Sequence, residues 1–272
     1  MTAPGLTTIQ LDESVWQDRA AAHRARIEGL IGSYLRQRRR GVKHPVIDFL
    51  FTYYNTRPQQ LLRWHPGFGT GLAGAADEYA ALAGYHRTAD GTVAVDPDLP
   101  AQRRPLLDAV ARLLRATASR PARLGCFGLH EWAMLYRTDE LRHALPLRLG
   151  AAGTDAVVET LPLRCTHFDA FRFFTEPARP RNALPLSREG QLEHEQPGCL
   201  HATMDLYRYS LKLTPLIPGE LLAEAFELAL TARVLDMRAS PYDVTSLGYS
   251  AVPIETPACR TEYLREQTVI AE

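Results

Sequence analysis

Four stretches of the sequence repeat apolar residues at helical spacing, and this pattern limits the possible folds more than any other feature. In the first stretch, residues 14–39, the repeated face consists of Ile27, Leu30, Ile31, Tyr34 and Leu35. The other three stretches are residues 101–118, 201–213 and 219–236. An amphipathic helix of this length needs an apolar partner to cover its repeated face, so the chain is predicted to be mainly helical.

Local signals set the ends of these helices. Ser14 and Gln17 have the spacing of a capping box, which predicts that the first helix begins at residue 14. Gly41 follows a run of arginines that suits a helix C-terminus. Pro218 and the pair Thr256-Pro257 are typical of first-turn positions. The last of these predicts a final helix that reaches the C-terminus.

The remaining segments are shorter. Residues 45–55 favour a short buried helix, while residues 145–149, 156–165 and 171–174 favour strands. Residues 86–100 are polar and contain an Asp90-Gly91 turn, so we expect a surface excursion that carries a small hairpin. Without a repeat or a long linker, the 272 residues are predicted to form an α+β, mainly helical single domain, residues 1–272, with a small central β-sheet.

Charge and apolar patterning exclude some classes of protein. The 31 basic and 31 acidic residues balance, which argues against nucleic-acid binding by bulk electrostatics. A membrane span needs a run of about 18 apolar residues, and the sequence has none. The four cysteines lie far apart without a CxxC pair, which fits a reducing compartment. We therefore expect a cytoplasmic protein without membrane partners.

Ionisable side chains stand beside aromatic residues in five short segments. These segments are residues 44–49, 64–67, 129–132, 165–172 and 195–207. If such groups are buried, they must be hydrogen-bonded, paired, metal-bound or shifted in pKa, because desolvation is costly. The recurrence of this pattern predicts a shared pocket.

The spacing of these residues allows several chemistries. His167 and Asp169 would lie on one side of a strand, and His201 and Asp205 would share a helix face. Each pair fits a structural hydrogen bond, acid–base catalysis, or part of a zinc or iron ligand set. His130-Glu131 is not an HExxH zinc motif, because Met134 stands where that motif needs histidine.

Two sets of site residues are predicted from these segments. The predicted catalytic residues are His167, Asp169, His201, Asp205, His130 and Glu131. The predicted substrate-binding residues are His44, His65, Trp64, Trp132, Arg172, Tyr207 and Arg208. Arginine and histidine suit an anionic group of a small-molecule substrate. No residue is assigned as a metal ligand, and no cofactor is expected. Asp236 or Asp243 is expected to pair with Arg238 in a structural role.

The motifs HPVIDFLFTYYNTRPQQLLRWHPGFG, CFGLHEWAMLYR, CTHFDAFRFFTEPARPRN and EQPGCLHATMDLY carry a resemblance over about residues 14–265. There the chain resembles an actinobacterial family that is commonly labelled 3-methyladenine DNA glycosylase, which implies excision of alkylated bases from DNA. The chain is also similar to a subunit of the aziridine-forming enzymes of azinomycin-type biosynthesis. That similarity implies secondary metabolism, a partner subunit, and an amine that displaces an anionic leaving group such as sulfate.

Several functions stay open on the sequence alone. The leading hypothesis is an enzyme that uses histidine and carboxylate acid–base catalysis on a small polar or anionic metabolite, with aziridine ring closure as its most specific form. One alternative is a DNA base-excision glycosylase, for which nucleic acid is the partner. Another is a metal-dependent oxidase, and a fourth is a non-catalytic subunit of a larger enzyme.

Overall fold

The computed structural model describes residues 9–272, whose contacts group into two compact units. Unit 1 comprises residues 9–42, 51–111 and 207–227. Unit 2 comprises residues 43–50, 112–206 and 228–272. The mainly helical α+β class with a small sheet is confirmed, while a single domain across residues 1–272 stays a prediction.

The described residues contain helices throughout and strands in the N-terminal part. The strands are β1 (Ile9–Leu11), β2 (Thr70–Leu72), β3 (Tyr85–Arg87) and β4 (Val93–Val95). The first six helices are α1 (Glu13–Arg39), α2 (Pro45–Thr52), α3 (Pro58–Leu62), α4 (Asp77–Ala80), α5 (Leu99–Gln102) and α6 (Arg104–Ala118). The others are α7 (Leu129–Ala133), α8 (Gly150–Thr160), α9 (Phe168–Phe171), α10 (Gln191–His194), α11 (Leu200–Leu213), α12 (Gly219–Arg238) and α13 (Pro257–Ala271). Residues Arg179–Arg181 and Thr245–Leu247 form 3-10 turns.

The sheet belongs to unit 1 and has the strand order β1-β2-β4-β3. Strands β1 and β2 are parallel, whereas β4 is antiparallel to both of its neighbours. The predicted hairpin forms between β3 and β4, and Gly91 in its turn has a φ of +88°, which glycine adopts readily. Residues 92–95 are buried, so the expected surface excursion over 86–100 is limited to parts of that range, chiefly residues 87–90 before and in the turn and residues 97–98 after β4.

The strands predicted later in the chain are wrong. Residues 150–160 form α8 and residues 168–171 form α9, and only the isolated bridges Leu147–Tyr242 and Leu163–Asn182 pair in this region. Short apolar runs do not distinguish a buried helix from a strand by periodicity. The three-residue strands β1 and β2 are too short to produce a pattern of their own.

The long helices confirm the periodic pattern, with corrections at their ends. Helix α1 begins after Asp12, and the predicted capping box is wrong because Gln17 Nε2 donates to Glu13 Oε1 at 3.0 Å. Gly41 lies just beyond the end of α1 with a φ of +77°, as its stop signal predicts. At α13, Thr256 is the N-cap, and its Oγ1 accepts from the Cys259 amide at 3.4 Å.

Each unit has its own apolar cluster. In unit 1 the cluster is aromatic and covers one face of the sheet region, with Trp16, Trp64, Tyr79 and Tyr85 buried together. In unit 2, Val46, Leu135, Met237, Tyr242 and Val244 are packed around the C-terminal end of α12. Among residues 9–272, no helix combines the length and apolar character that crossing a membrane requires.

Candidate active site

Unit 2 gathers six ionisable side chains into one buried group, which we name the His/carboxylate cluster. Its members are His130, His167, Glu195, His201, Asp205 and Asp236. None exposes more than 6% of its surface. The ring of His201 joins the two halves of the cluster, because its centroid lies 4.5 Å from that of His130 and 5.4 Å from that of His167.

The first half of the cluster is built on three helices. His130 lies on α7, His201 on the first turn of α11, and Asp236 on the last turns of α12. His130 Nε2 and Asp236 Oδ1 are 2.8 Å apart, yet neither atom has a hydrogen bond of acceptable geometry among the described residues. A buried polar atom without such a bond is costly, so this pair requires an explanation.

A buried guanidinium holds Asp236 from its other side. Arg233 NH1 donates to Asp236 Oδ2 at 2.6 Å and to Glu131 Oε1 at 2.7 Å. Arg233 is fully buried, and its guanidinium lies 4.1 Å from the Phe49 ring centroid. Burial alone would raise the pKa of Glu131, but Arg233 and His130 outweigh burial and lower it to about 2. Glu131 is therefore a fixed anion that supports Arg233.

The second half of the cluster surrounds His167, the residue that precedes α9. Its Nε2 lies 3.1 Å from Glu195 Oε1 and 3.5 Å from Asp205 Oδ2. Glu195 follows α10, and Gln191 Nε2 donates to its Oε1 at 2.5 Å. Asp205 lies on α11, one turn after His201. Two carboxylates therefore approach the same ring nitrogen.

The histidines differ in protonation because their surroundings differ. Burial disfavours the charged form of His167, but Asp205 and Glu195 outweigh burial and raise its pKa well above the ordinary value. The pKa of His130 is raised in the same way by Asp236. Burial and the charge of His130 push the pKa of His201 well below its ordinary value. The cluster thus combines proton carriers with a neutral imidazole.

A small cavity reaches the cluster from an open groove. The cavity, roughly 10 Å³, has room for about one water molecule. It is lined by Cys126, His130, Cys165, Thr166, Gln196, Cys199, Leu200, His201, Tyr263 and Gln267. The groove, about 460 Å³, shares Cys165 and Thr166 with the cavity and is bordered by the exposed arginines Arg123 and Arg164. These two arginines place positive charge on the approach to the cluster.

Several predicted residues of unit 2 lie elsewhere. Asp169 accepts from Arg188 at 2.5 Å and lies 3.3 Å from Arg172. Residues 168–171 form α9 rather than a strand, so the strand geometry that would put His167 and Asp169 on one side is not present. Trp132 Nε1 donates to the Ala239 carbonyl at 2.9 Å within the core.

His44 also has a local role in unit 2. Its Nδ1 accepts from the Ile47 amide at 3.4 Å, and its own amide donates to Asp48 Oδ2 at 2.7 Å. Both bonds lie at the first turn of α2 and satisfy groups that a helix start leaves open. The structure therefore shows His44 as a helix-capping residue.

Four of the predicted substrate-binding residues belong to unit 1. Trp64 Nε1 donates to Glu220 Oε1 at 2.9 Å, and His65 Nδ1 lies 2.7 Å from the Tyr85 hydroxyl. Tyr207 packs at right angles against Tyr54, and the Arg208 guanidinium lies 5.9 Å from the Tyr209 ring centroid. None of these four belongs to the His/carboxylate cluster as the structure defines it in unit 2.

The sequence predictions miss three residues of the site. Glu195 lies in one of the five segments without a predicted role, Arg233 lies outside all five, and the predicted partner of Asp236 is Arg238. Instead Arg238 NH1 donates to Glu266 at 2.6 Å, and Asp243 accepts from the Thr245 hydroxyl. One signal was available, since Arg233 and Asp236 are charges three residues apart within an apolar helix.

Comparison of the chain with protein-family models, with curated proteins and with solved structures found no match. The function is therefore inferred from the geometry of the cluster.

Proposed function

We propose that the chain is an enzyme that acts on a small polar or anionic molecule at the His/carboxylate cluster. The observation that carries this proposal is a buried group of three histidines and three carboxylates that adjoins a cavity and an open groove. Ionisable groups are expensive to bury. Such groups with perturbed surroundings, placed in a cleft, are typical of active sites.

In this proposal His167 transfers the proton. Glu195 and Asp205 fix the ring from one side and stabilise its charged form, as carboxylates do for catalytic histidines. Arg123 and Arg164 on the groove attract an anionic group of the incoming molecule. The substrate occupies the groove, whose lining residues Cys165 and Thr166 closely precede His167 in the chain, and the small inner cavity holds about one water molecule.

The most specific reaction that we propose is intramolecular C–N bond formation. The neutral form of His167 takes a proton from a substrate ammonium, and the nitrogen lone pair that this frees attacks a neighbouring carbon. The bond from that carbon to the leaving oxygen breaks, and the leaving group departs with the electron pair as an anion such as sulfate. Holding nitrogen and leaving group in line accounts for most of the acceleration in such a closure.

A direct assay tests this function. The purified full chain is incubated with sulfate monoesters of small amino alcohols while free sulfate is measured, and separately with methylated duplex DNA while free base is measured. We expect sulfate release that is lost in His167→Gln. Base release from DNA that depends on the same residue would instead establish a glycosylase. If neither release exceeds that of His167→Gln, the proposed reaction is wrong.

A further inference from the structure

We infer that His130, His201 and Asp236 bind one divalent transition-metal ion. One ligand atom from each residue lies within 4.8 Å of the others, and all three side chains are buried. They project from α7, α11 and α12, so helices rather than loops hold them in place. This inference goes beyond the proposed reaction and is independent of it.

The unpartnered atoms point to an ion at this position. His130 Nε2 and Asp236 Oδ1 are 2.8 Å apart but have no hydrogen-bond geometry. Two ligand atoms that each lie about 2.1 Å from one ion are about 3.0 Å apart at the right angle of an octahedral site and about 3.4 Å apart at a tetrahedral angle. The observed 2.8 Å is close to the octahedral separation and is compatible with two neighbouring ligands of one six-coordinate ion.

The surroundings hold the ligands in the orientation that an ion requires. Arg233 occupies Asp236 Oδ2, which leaves Oδ1 directed toward His130. His130 Nδ1 lies 3.6 Å from Cys126 Sγ, so its other nitrogen, Nε2, is the one available to a metal. Partners of this kind fix the orientation of metal-bound carboxylates and imidazoles in known sites.

The ligand types indicate the class of ion. Two imidazoles and one carboxylate suit Fe²⁺, Co²⁺ or Zn²⁺, whereas Mg²⁺ and Ca²⁺ prefer all-oxygen sites. A bound ion takes the place of the proton that His130 otherwise carries, because a metal-bound imidazole is neutral.

The other half of the cluster is a poorer metal site. His167 offers a single imidazole, and Glu195 Oε1 already accepts from Gln191. An ion at His130, His201 and Asp236 would leave His167 free for proton transfer beside it, since the rings of His167 and His201 are 5.4 Å apart.

Metal binding is tested with the ion alone and without a substrate. The full chain is stripped with a chelator and titrated with Co²⁺, whose absorption reports binding. We expect one ion per chain, and binding weakened by at least about a hundredfold in His201→Gln, because a direct ligand is lost. His167→Gln is the matched control from the same cluster and should retain wild-type affinity. Circular dichroism verifies that both variants fold.

A second measurement needs no variant. Pulsed electron paramagnetic resonance of the wild-type chain loaded with Cu²⁺ should show nitrogen couplings from two imidazoles. The inference is overturned by failure of the wild-type chain to bind Co²⁺ near one equivalent, by couplings from fewer than two imidazoles, or by wild-type affinity in a folded His201→Gln. Loss of binding in His167→Gln alone would assign the ion to the other half. If the wild-type chain binds the metal ion but releases no sulfate, only the proposed function is rejected.

Discussion

One buried histidine of unit 1 and two buried histidines of unit 2 differ in their partners. In unit 1, His65 shares a short hydrogen bond with the Tyr85 hydroxyl, and burial together with the charge of Arg63 lowers its pKa to about 4. In unit 2, His130 and His167 lie against carboxylates and have raised pKa values. Their ring nitrogens facing these carboxylates lack hydrogen bonds of acceptable geometry.

We propose that this difference distinguishes a structural histidine from a functional one. The neutral imidazole of His65 has a hydrogen-bond partner within the fold, the Tyr85 hydroxyl, and does not require a bound ligand or ion. An imidazole between carboxylates, with polar atoms left open, is stable only if a proton, an ion or a substrate completes it. Burial alone therefore does not identify a site, and we use burial against carboxylates, without hydrogen bonds of acceptable geometry, as the criterion for one.

The largest expected effect concerns His167, one of the histidines to which we assign a function. Replacing Asp205 by asparagine removes one of the two charges that support His167. We expect Asp205→Asn to lower the rate of sulfate release by about 10²- to 10⁴-fold, the usual contribution of acid–base catalysis. Asp169→Asn changes a buried aspartate that pairs with Arg188 outside the cluster and should keep most of the rate. Equal losses in both variants would contradict the roles assigned here.

The next effect concerns stability within unit 2. Arg233→Met leaves Glu131 and Asp236 buried without their cation, and breaking a buried pair in this way costs about 3–5 kcal/mol. Urea denaturation measures the free energy of unfolding. The control Arg137→Met removes an ion pair to Glu159 whose arginine side chain is 59% exposed, and its cost should be below about 1 kcal/mol. Similar losses would mean that Arg233 does not support the cluster.

His65, the structural histidine of this comparison, makes the free energy of unfolding depend on pH. The folded pKa of His65 is about 4, below the unfolded value of about 6.5. Between these values the unfolded chain binds the proton and the folded chain does not, so stability is lost as the pH falls from about 6.5 to 4. The full loss is about 3 kcal/mol. It is measured as the difference in unfolding free energy between wild type and His65→Gln across this range. A constant difference would show that His65 does not titrate on unfolding.

The fold could be predicted where the pattern was long. Periodicity over many residues identified α1, α11 and α12, and the proline after Thr256 located α13. Prediction failed at residues 156–165, whose first half belongs to α8 (Gly150–Thr160) and whose second half forms only the isolated bridge Leu163–Asn182. The sequence pattern does not predict strand β1, because β1 pairs with β2 and the paired residues are about 60 positions apart in the chain. A local pattern does not encode such a pairing.

The site could be predicted only in part for a related reason. His130, His167, His201 and Asp205 stood out because each lies among aromatic or apolar neighbours in sequence. The partners of these histidines, Glu195 and Asp236, come from other elements, and only tertiary structure brings them within reach. The pairing of His167 with Asp169 failed because it assumed a strand where the chain forms α9.

The smallest predicted effect provides a baseline outside both groups of histidines. Thr256 caps α13 through one hydrogen bond at 3.4 Å from the Cys259 amide. Thr256→Ala should therefore destabilise the chain by about 1 kcal/mol, the typical cost of losing an N-cap, with sulfate release unchanged. Because the bond lies at an exposed helix end, Thr256→Ser should restore the stability, as measured by urea denaturation. A loss in Thr256→Ala as large as that in Arg233→Met would mean that stability does not distinguish the buried ion pairs from an ordinary surface contact.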